Sequence, residues 1–201
     1  MNGHKNILSH TALTNYHRGF KNTRYRDTTI MVGWKAPPEQ WIKINSDGVA
    51  KGNPGPAGAG CVCRTHTGQV IMALTSAIGN TTALMAETWG LLLATRIARQ
   101  QTWENVWFEA DSVSLVQLIN SDNKDTPRYL TGMLQEIKKL MTEISQIKVT
   151  HDYREANQVA DKLANEAIEH QQQHPTSSTT RIWDNKCPSF VTNIVNNDRN
   201  G

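Results

Sequence analysis

Residues 41–78, WIKINSDGVAKGNPGPAGAGCVCRTHTGQVIMALTSAI, contain three strand-like runs separated by turn sequences. In the first run, residues 41–49, Ile42 and Ile44 alternate with Lys43 and Asn45, which is the period of a strand. The other runs cover residues 59–64 and 69–78. Glycine and proline at residues 52–56, and the His-Thr-Gly sequence at 66–68, favour tight connections. The stretch therefore predicts an antiparallel meander of three strands.

The apolar period changes after the meander. Residues 83–99 have helical spacing with apolar side chains almost all round, which indicates a largely buried helix. The order β-β-β-α-β-α-α-β-α predicts an α/β fold. Its sheet would be five-stranded and mixed, with the antiparallel meander plus two crossover strands, flanked by helices on both faces. The later elements are a strand at 105–110, a helix capped at 111–112 and ending at 120, a helix at 127–144, a strand at 147–153 and a helix at 155–169.

Charge is unevenly distributed along the 201 residues. The whole chain carries +3, but residues 1–38 carry +5, residues 39–170 carry −3 and residues 171–201 carry +1. The sequence predicts a basic, disordered leader at 1–33, one folded domain at 34–170 and a polar, disordered tail at 171–201. A basic leader is compatible with a transit peptide, a flexible extension or the remnant of a polyprotein.

No run of 18 apolar residues is present, and the first ten residues lack the apolar region of a secretory signal. The three cysteines, Cys61, Cys63 and Cys187, have no metal-site spacing and are expected to be small buried thiols in a reducing compartment. An intracellular location, nucleus or cytoplasm, is therefore expected, and the basic leader leaves organelle import open. We expect a monomer with no membrane partner.

Four acidic residues occupy positions that call for an explanation. Taken alone, Asp47 before a glycine suits a turn, Asp111 suits a helix N-cap, and Asp161 among amide side chains suits a solvated helix face. Glu87 is different, because its neighbours three and four residues away are apolar or small. A carboxylate within an apolar stripe is costly unless a cation or hydrogen bonds compensate it.

Together the four acids suggest a shared site. Asp47 and Asp111 end two strands that the order allows to be neighbours, while Glu87 and Asp161 lie on helices beside them. Sites in α/β sheets gather at strand ends. Four close carboxylates repel one another and require cations, and oxygen-only ligands suit Mg²⁺ or Mn²⁺ better than Zn²⁺. Carboxylates holding two such ions are suited to in-line displacement at a phosphodiester.

Four motifs, in order along the chain, resemble type 1 ribonuclease H. The likeness is to the plant ribonuclease H-like domains in particular, many of which look retrotransposon-derived, and it covers roughly residues 34–170. The family's fold, a five-stranded mixed sheet, agrees with the predicted element order. The motifs are NSDGVAKGNPGP at residues 45–56, AE at 86–87, EADS at 109–112 and REANQVADKLA at 154–164.

The resemblance implies a metal-dependent endonuclease that hydrolyses the RNA strand of RNA–DNA hybrids with two Mg²⁺ or Mn²⁺ ions. It implies that Asp47 and Asp111 are the central ligands, that Glu87 holds the ion contacting the substrate, and that Asp161 holds the ion orienting the attacking water. Products would carry 5′-phosphate and 3′-hydroxyl ends.

The resemblance also implies recognition of 2′-hydroxyls and groove shape rather than base sequence. Gly52 and Asn53 would approach the minor groove, and Ser112 would touch a phosphate, although Asn53 also suits a plain turn and Ser112 a plain helix cap. The family's histidine before the last helix has one candidate here, His151, whose alternation pattern also suits a strand position. Arg154, nearer the helix, could take a substrate role.

Two departures from the bacterial members bear on activity. Asparagines that precede the helix glutamate there are Ala83 and Leu84 here, and residues 126–144 carry too few bases for the basic protrusion that grips the hybrid. Weak hybrid affinity is therefore expected. Two other functions remain open from the sequence: a catalytically weak or inactive nucleic-acid-binding module that keeps the fold, and another nuclease of the superfamily.

Overall fold

The structure, a computed structural model, describes residues 7–8, 30–121 and 126–200. Within these residues, three short 3-10 helices accompany the main elements, at Arg128–Leu130, Arg154–Ala156 and Ser189–Val191. The strands are β1 (Ile7–Leu8), β2 (Ile30–Met31), β3 (Ile42–Ala50), β4 (Gly55–Arg64), β5 (Val70–Thr81), β6 (Asn105–Ala110), β7 (Gln146–His151) and β8 (Thr180–Asp184). The helices are α1 (Ala83–Gln100), α2 (Val113–Asn120), α3 (Thr131–Thr142), α4 (Gln158–Gln173) and α5 (Thr192–Asn200).

The main sheet has the strand order β7-β6-β3-β4-β5-β8. The predicted meander is confirmed as β3, β4 and β5, which pair antiparallel in sequence order. The two crossover strands are also as predicted, because β6 runs parallel to β3 and β7 parallel to β6. The mixed sheet with parallel central strands brings the carboxyl ends of β3 and β6 to the same edge.

The sheet has six strands instead of the predicted five. Residues 171–201, expected to be disordered, supply β8, which pairs antiparallel with β5, and also supply α5. Val191 and Val195 are buried against Val62 and Leu163. The apolar side chains of the tail are few and scattered among polar residues, and the tail is ordered by the pairing of β8 with β5 and by packing against β4, β5 and α4.

Helices cover both faces of the main sheet. On one face, α1, α2 and α3 close the larger core, whose centre includes Ile44, Phe108 and Leu91, all at most 1% exposed. On the other face, α4 and α5 close a smaller cluster.

Cys61 and Cys63 are buried in the larger core, as predicted, and burial raises the pKa of the Cys61 thiol to about 12.

Three predicted boundaries were wrong by a few residues. The helix at 127–144 begins as a 3-10 turn after Pro127, which has no backbone N–H to donate, and α3 ends at Thr142. The strand at 147–153 ends at His151. The helix at 155–169 is a 3-10 turn followed by α4, which runs four residues further, to Gln173.

Only residues 7–8 and 30–33 of the predicted leader lie within the described part of the chain, and there β1 pairs antiparallel with β2. The rest of that expectation lies outside the described residues. None of the described helices combines the length and apolar character required to cross a membrane.

Candidate functional site

Asp47 lies near the end of β3 and is 2% exposed. One of its oxygens, Oδ1, accepts a hydrogen bond of 2.8 Å from the backbone N–H of Gly48. The other, Oδ2, is buried and has no hydrogen-bond partner. A buried carboxylate oxygen without a partner is costly, so the site is built for a further ligand of this atom.

Glu87 reaches Asp47 because α1 lies unusually close to β3. Added Cβ atoms at two glycines would overlap backbone atoms of the other element: one at Gly48 would meet Ala86 and Glu87, and one at Gly90 would meet Asp47. Both glycines therefore permit the contact. Glu87 is partly buried, as expected from its apolar neighbours, and its Oε2 atom is buried without a hydrogen-bond partner.

Asp111 completes a group of three carboxylates. It follows the last residue of β6, and one oxygen from each of Asp47, Glu87 and Asp111 lies within 4.8 Å of the others. Ser112 caps α2, since its side-chain oxygen accepts a hydrogen bond of 3.4 Å from the backbone N–H of Leu115. The cap therefore fixes the chain just after Asp111.

Asp161 lies on α4, on the far side of Arg154 from Asp111. It is not within the group of three. The Arg154 Nε atom is 3.6 Å from Asp111 Oδ2, and its terminal nitrogen is 3.7 Å from Asp161 Oδ1. The Arg154 side chain is 71% exposed, so a cation with access to solvent separates the fourth carboxylate from the others.

Glycines also determine how close α4 comes to the sheet. Cβ atoms at Gly58 and Gly60 of β4 would overlap the backbone of Ala164 in α4. The two glycines therefore let the helix sit directly on the strand, which carries Asp161 to the same edge as Asp47. Of the four acids predicted to converge at one edge, three have ligand oxygens within 4.8 Å of one another, and the fourth, Asp161, lies beyond an arginine.

The electrostatics of the group favour a cation. Burial, with repulsion from Asp111 and Asp161, raises the pKa of Asp47 to about 7. Burial, with repulsion from Asp47 and Asp111, raises the pKa of Glu87 to about 9. Carboxyl groups so disfavoured as anions would be stabilised by a bound divalent ion. The donor set is oxygen only, which fits Mg²⁺ or Mn²⁺.

The other predicted residues lie around this group. Gly52 has φ +110°, in the region that favours glycine, and exposed Asn53 accepts a hydrogen bond of 3.1 Å from the backbone N–H of Ala83 at the start of α1. His151 is the last residue of β7 and is exposed, so its strand position is as the alternation suggested. Its ring packs edge-on against the Tyr153 ring, with 5.9 Å between the ring centroids.

Asn157, which is 1% exposed, was not among the site residues predicted from the sequence. Its side-chain amide donates to the backbone carbonyl of Ser46 at 3.0 Å and to Asp111 Oδ1 at 3.5 Å. It therefore ties the start of α4 to β3 and to the carboxylate group. The signal was its place in the REANQVAD motif, four residues before Asp161.

Comparison with known proteins identifies the family. Residues 45–167 match the family described as reverse transcriptase-like. The chain belongs to the reverse transcriptase-like family. This match covers all four acids, and the type 1 ribonuclease H-like family predicted from the motifs is confirmed.

Two curated relatives of this reverse transcriptase-like chain carry ribonuclease H names. An Arabidopsis thaliana protein named "Putative ribonuclease H protein At1g65750" is 34% identical over 138 residues, 69% of this chain and 22% of that protein. Ribonuclease HI of Halobacterium salinarum is 28% identical over 123 residues, 61% of this chain and 62% of that protein. The chain thus spans less than two thirds of either relative.

Solved structures agree on the fold. RNase H1 from Halobacterium salinarum superimposes with a TM-score of 0.60 at 28% identity, over 64% of this chain and 98% of that one. LC11-RNase H1, solved in complex with an RNA/DNA hybrid, gives a TM-score of 0.61 at 31% identity, over 65% of this chain and 99% of that one. The reverse transcriptase-like chain therefore has the ribonuclease H fold.

Proposed function

We propose that this chain is a divalent-metal-dependent endonuclease that hydrolyses the RNA strand of RNA–DNA hybrids. The observation that carries the proposal is the group of Asp47, Glu87 and Asp111, with ligand atoms within 4.8 Å of one another and two buried oxygens lacking partners. The likeness to LC11-RNase H1, solved with an RNA/DNA hybrid, supports the substrate class.

The residues fit a divalent metal site. Asp47, Glu87 and Asp111 offer hard oxygen ligands, and their mutual repulsion is relieved by positive charge. We assign Asp47 and Asp111 to two Mg²⁺ or Mn²⁺ ions, Glu87 to one of them and Asp161 to the other. When bound, such ions supply an ionised water at neutral pH and neutralise charge on the phosphate oxygens.

Arg154 binds the substrate phosphate in this proposal. Its guanidinium is exposed and lies 3.6 Å from Asp111 and 3.7 Å from Asp161, so it is a cation available to a phosphodiester that faces the carboxylates. A planar guanidinium donates well to phosphate oxygens. His151 lies at the end of the neighbouring strand β7, with its ring against that of Tyr153.

Recognition of the hybrid rests on shape and on 2′-hydroxyls. Gly52 and Asn53 form the exposed turn between β3 and β4, and the Asn53 side chain ties this turn to the start of α1, beside Glu87. Such a turn lets backbone and amide groups approach a minor groove. Ser112 acts through the α2 cap, which holds the chain behind Asp111.

In the reaction, a water molecule adds to the phosphorus of the RNA backbone and the bond to the 3′-oxygen breaks. The water oxygen stays on the new 5′-phosphate, and one proton ends on the released 3′-hydroxyl. The carboxylates orient the water and the phosphate, while the buried floor around Asp47 keeps other water away from these groups.

The test is a panel of end-labelled substrates incubated with the full chain in Mg²⁺ or Mn²⁺. The proposal predicts cutting of the RNA strand of an RNA–DNA hybrid, at internal positions, with 5′-phosphate and 3′-hydroxyl products. Single-stranded RNA, double-stranded RNA and branched DNA should remain intact. Preferential cutting of branched DNA, or no metal-dependent cutting by a folded chain, would contradict the proposal.

A further inference from the structure

A row of buried polar side chains runs behind the carboxylates on β3 and β6. In the parallel register, Lys43 lies opposite Trp107 and Asn45 lies opposite Glu109. Because side chains repeat every two residues along a strand, the next positions in the row are Asp47 and Asp111. Lys43 and Asn45 are fully buried, although their alternation with isoleucine resembles the solvent side of a strand.

Glu109 joins three strands. Its Oε2 is 2.5 Å from Lys43 Nζ and accepts a hydrogen bond of 3.1 Å from the Asn45 amide, both on β3. Its Oε1 accepts a hydrogen bond of 3.2 Å from the Thr150 hydroxyl on β7. The strands that carry Asp47 and Asp111 are therefore tied together two residues before those carboxylates.

Asn45 connects this row to Trp34, before β3, and through Arg64 to Asp198 in α5. The indole N–H of Trp34 donates to Asn45 Oδ1 at 2.9 Å, and Arg64 donates to the same oxygen at 2.9 Å. Arg64 in turn binds Asp198 of α5 at 2.6 Å, and its guanidinium stacks 3.9 Å from the Trp34 ring. We call Trp34, Lys43, Asn45, Arg64, Glu109 and Asp198 the polar ladder.

The Asn45 amide group cannot rotate without losing several bonds at once. Its oxygen is held by Trp34 and Arg64, and its nitrogen by Glu109. Burying so many charged groups is a poor way to gain stability, because apolar side chains of similar volume would do as well or better. The directional bonds of the polar ladder hold β3 and β6 in one relative position, which apolar packing would not do. The groups that benefit are Asp47 and Asp111, which repel each other.

We infer that Trp34 and Asp198 are positioning residues for the metal ligands, acting through Asn45 and Glu109 on Asp47 and Asp111. Both lie outside residues 45–167, the part that matches the family, so the metal site depends on chain segments on either side of it. The inference rests on the proposed function for its metal site, but it concerns metal binding and not the substrate.

The experiment measures Mn²⁺ binding to the full chain by calorimetry, with the midpoint of thermal unfolding as a second readout. Trp34→Phe removes the indole donor and keeps an aromatic ring, and Asp198→Asn removes the charge and keeps the shape. Each variant is expected to weaken Mn²⁺ binding about tenfold. Loss of a group that orients metal ligands lowers metal affinity by about 10–100-fold, and the smaller value is expected here because Trp34 and Asp198 act indirectly. Trp34→Phe and Asp198→Asn should also raise the Mn²⁺ concentration for half-maximal cleavage by the same factor.

The matched control is Glu166→Gln, which neutralises a carboxylate of α4 that lies 3.0 Å from Arg181 of β8, away from the polar ladder. It should leave Mn²⁺ binding unchanged. Lower unfolding midpoints in Trp34→Phe and Asp198→Asn with wild-type Mn²⁺ affinity would overturn the inference, as would the absence of Mn²⁺ binding in the wild type. Mn²⁺ binding that Asp47→Asn abolishes, without hybrid cleavage by the wild type, would contradict the proposed function alone.

Discussion

Gly90 of α1 lies against the backbone carbonyl of Asp47 in β3, so closely that a Cβ atom at residue 90 would overlap that oxygen. The contact joins the helix that carries Glu87 to the strand that carries Asp47. It sets the spacing of two of the three grouped carboxylates, because Glu87 lies one helical turn before Gly90.

Replacing Gly90 by alanine is therefore expected to destabilise the protein. Alanine is favoured over glycine within a helix by about 1 kcal/mol. Forcing a methyl group against backbone costs about 1–3 kcal/mol, with the upper end expected because a carbonyl cannot rotate away. The free energy of unfolding should fall by about 1–2 kcal/mol in urea denaturation. Gly132→Ala in α3, where an added Cβ meets nothing within 4 Å, should be neutral or stabilising. Equal effects at both positions would contradict the packing argument.

The carboxylate group predicts a pH dependence of stability in the absence of metal. The Glu87 pKa is raised to about 9 in the folded protein, while its ordinary value is 4.5. Between these values the folded state holds a proton that the unfolded state has lost, so Glu87 lowers stability increasingly as pH rises. Glu87→Gln removes this effect. In EDTA, Glu87→Gln should gain stability relative to wild type as pH increases from about 5 to about 9, measured by urea denaturation. Parallel pH profiles would contradict the pKa argument.

Arg154→Gln tests the phosphate contact. Loss of one charge that binds a phosphate should weaken hybrid binding and reduce the slope of log affinity against log salt by about one. The measurement is hybrid binding by fluorescence anisotropy over a range of salt, in Ca²⁺ to limit cleavage. Lys186→Gln removes the same charge at an exposed position between β8 and α5, and it should leave the slope unchanged. An unchanged slope in Arg154→Gln would argue against the contact.

Removal of the C-terminal segment is expected to cost stability. A chain ending at residue 170 lacks β8 and α5, including Val191 and Val195, which are at most 4% exposed. Burial of two valine side chains contributes about 3 kcal/mol or more. Arg64 would lose Asp198 but regain water, so we count no further penalty for it. The truncated chain should unfold at lower urea concentration than the full chain. Equal midpoints would mean that the segment does not support the domain.

Much of the fold could be predicted from the sequence because its periodicities are strong. The β3–β5 meander and the α1 helix follow from alternation, from turn residues and from helical spacing. The β8 strand and α5 could not be predicted, because both depend on distant residues: β8 pairs with β5, and Val191 and Val195 pack against Val62 and Leu163.

The residues of the candidate site could be predicted from the sequence, but the distances between their side chains could not. The residue types, and their places at strand ends or on a neighbouring helix, predicted that Asp47, Glu87 and Asp111 lie together. Only the structure shows that Arg154 lies between Asp111 and Asp161. The polar ladder escaped prediction for a different reason. Lysine alternating with isoleucine is typical of a strand with one solvated face. Lys43 is instead buried, because Glu109 of β6 and the backbone carbonyl of Lys35 both bind its ammonium group.

The most direct test of the central claim is Mg²⁺-dependent cleavage of an RNA–DNA hybrid by the full chain, compared with its Asp47→Asn variant. Asparagine keeps the shape of Asp47 and removes the charge that holds the cation, so the variant should remain folded by circular dichroism. We predict that the wild type cuts the RNA strand and that Asp47→Asn loses all detectable cutting. Equal cleavage by the two proteins, or no cleavage by folded wild type, would contradict the account.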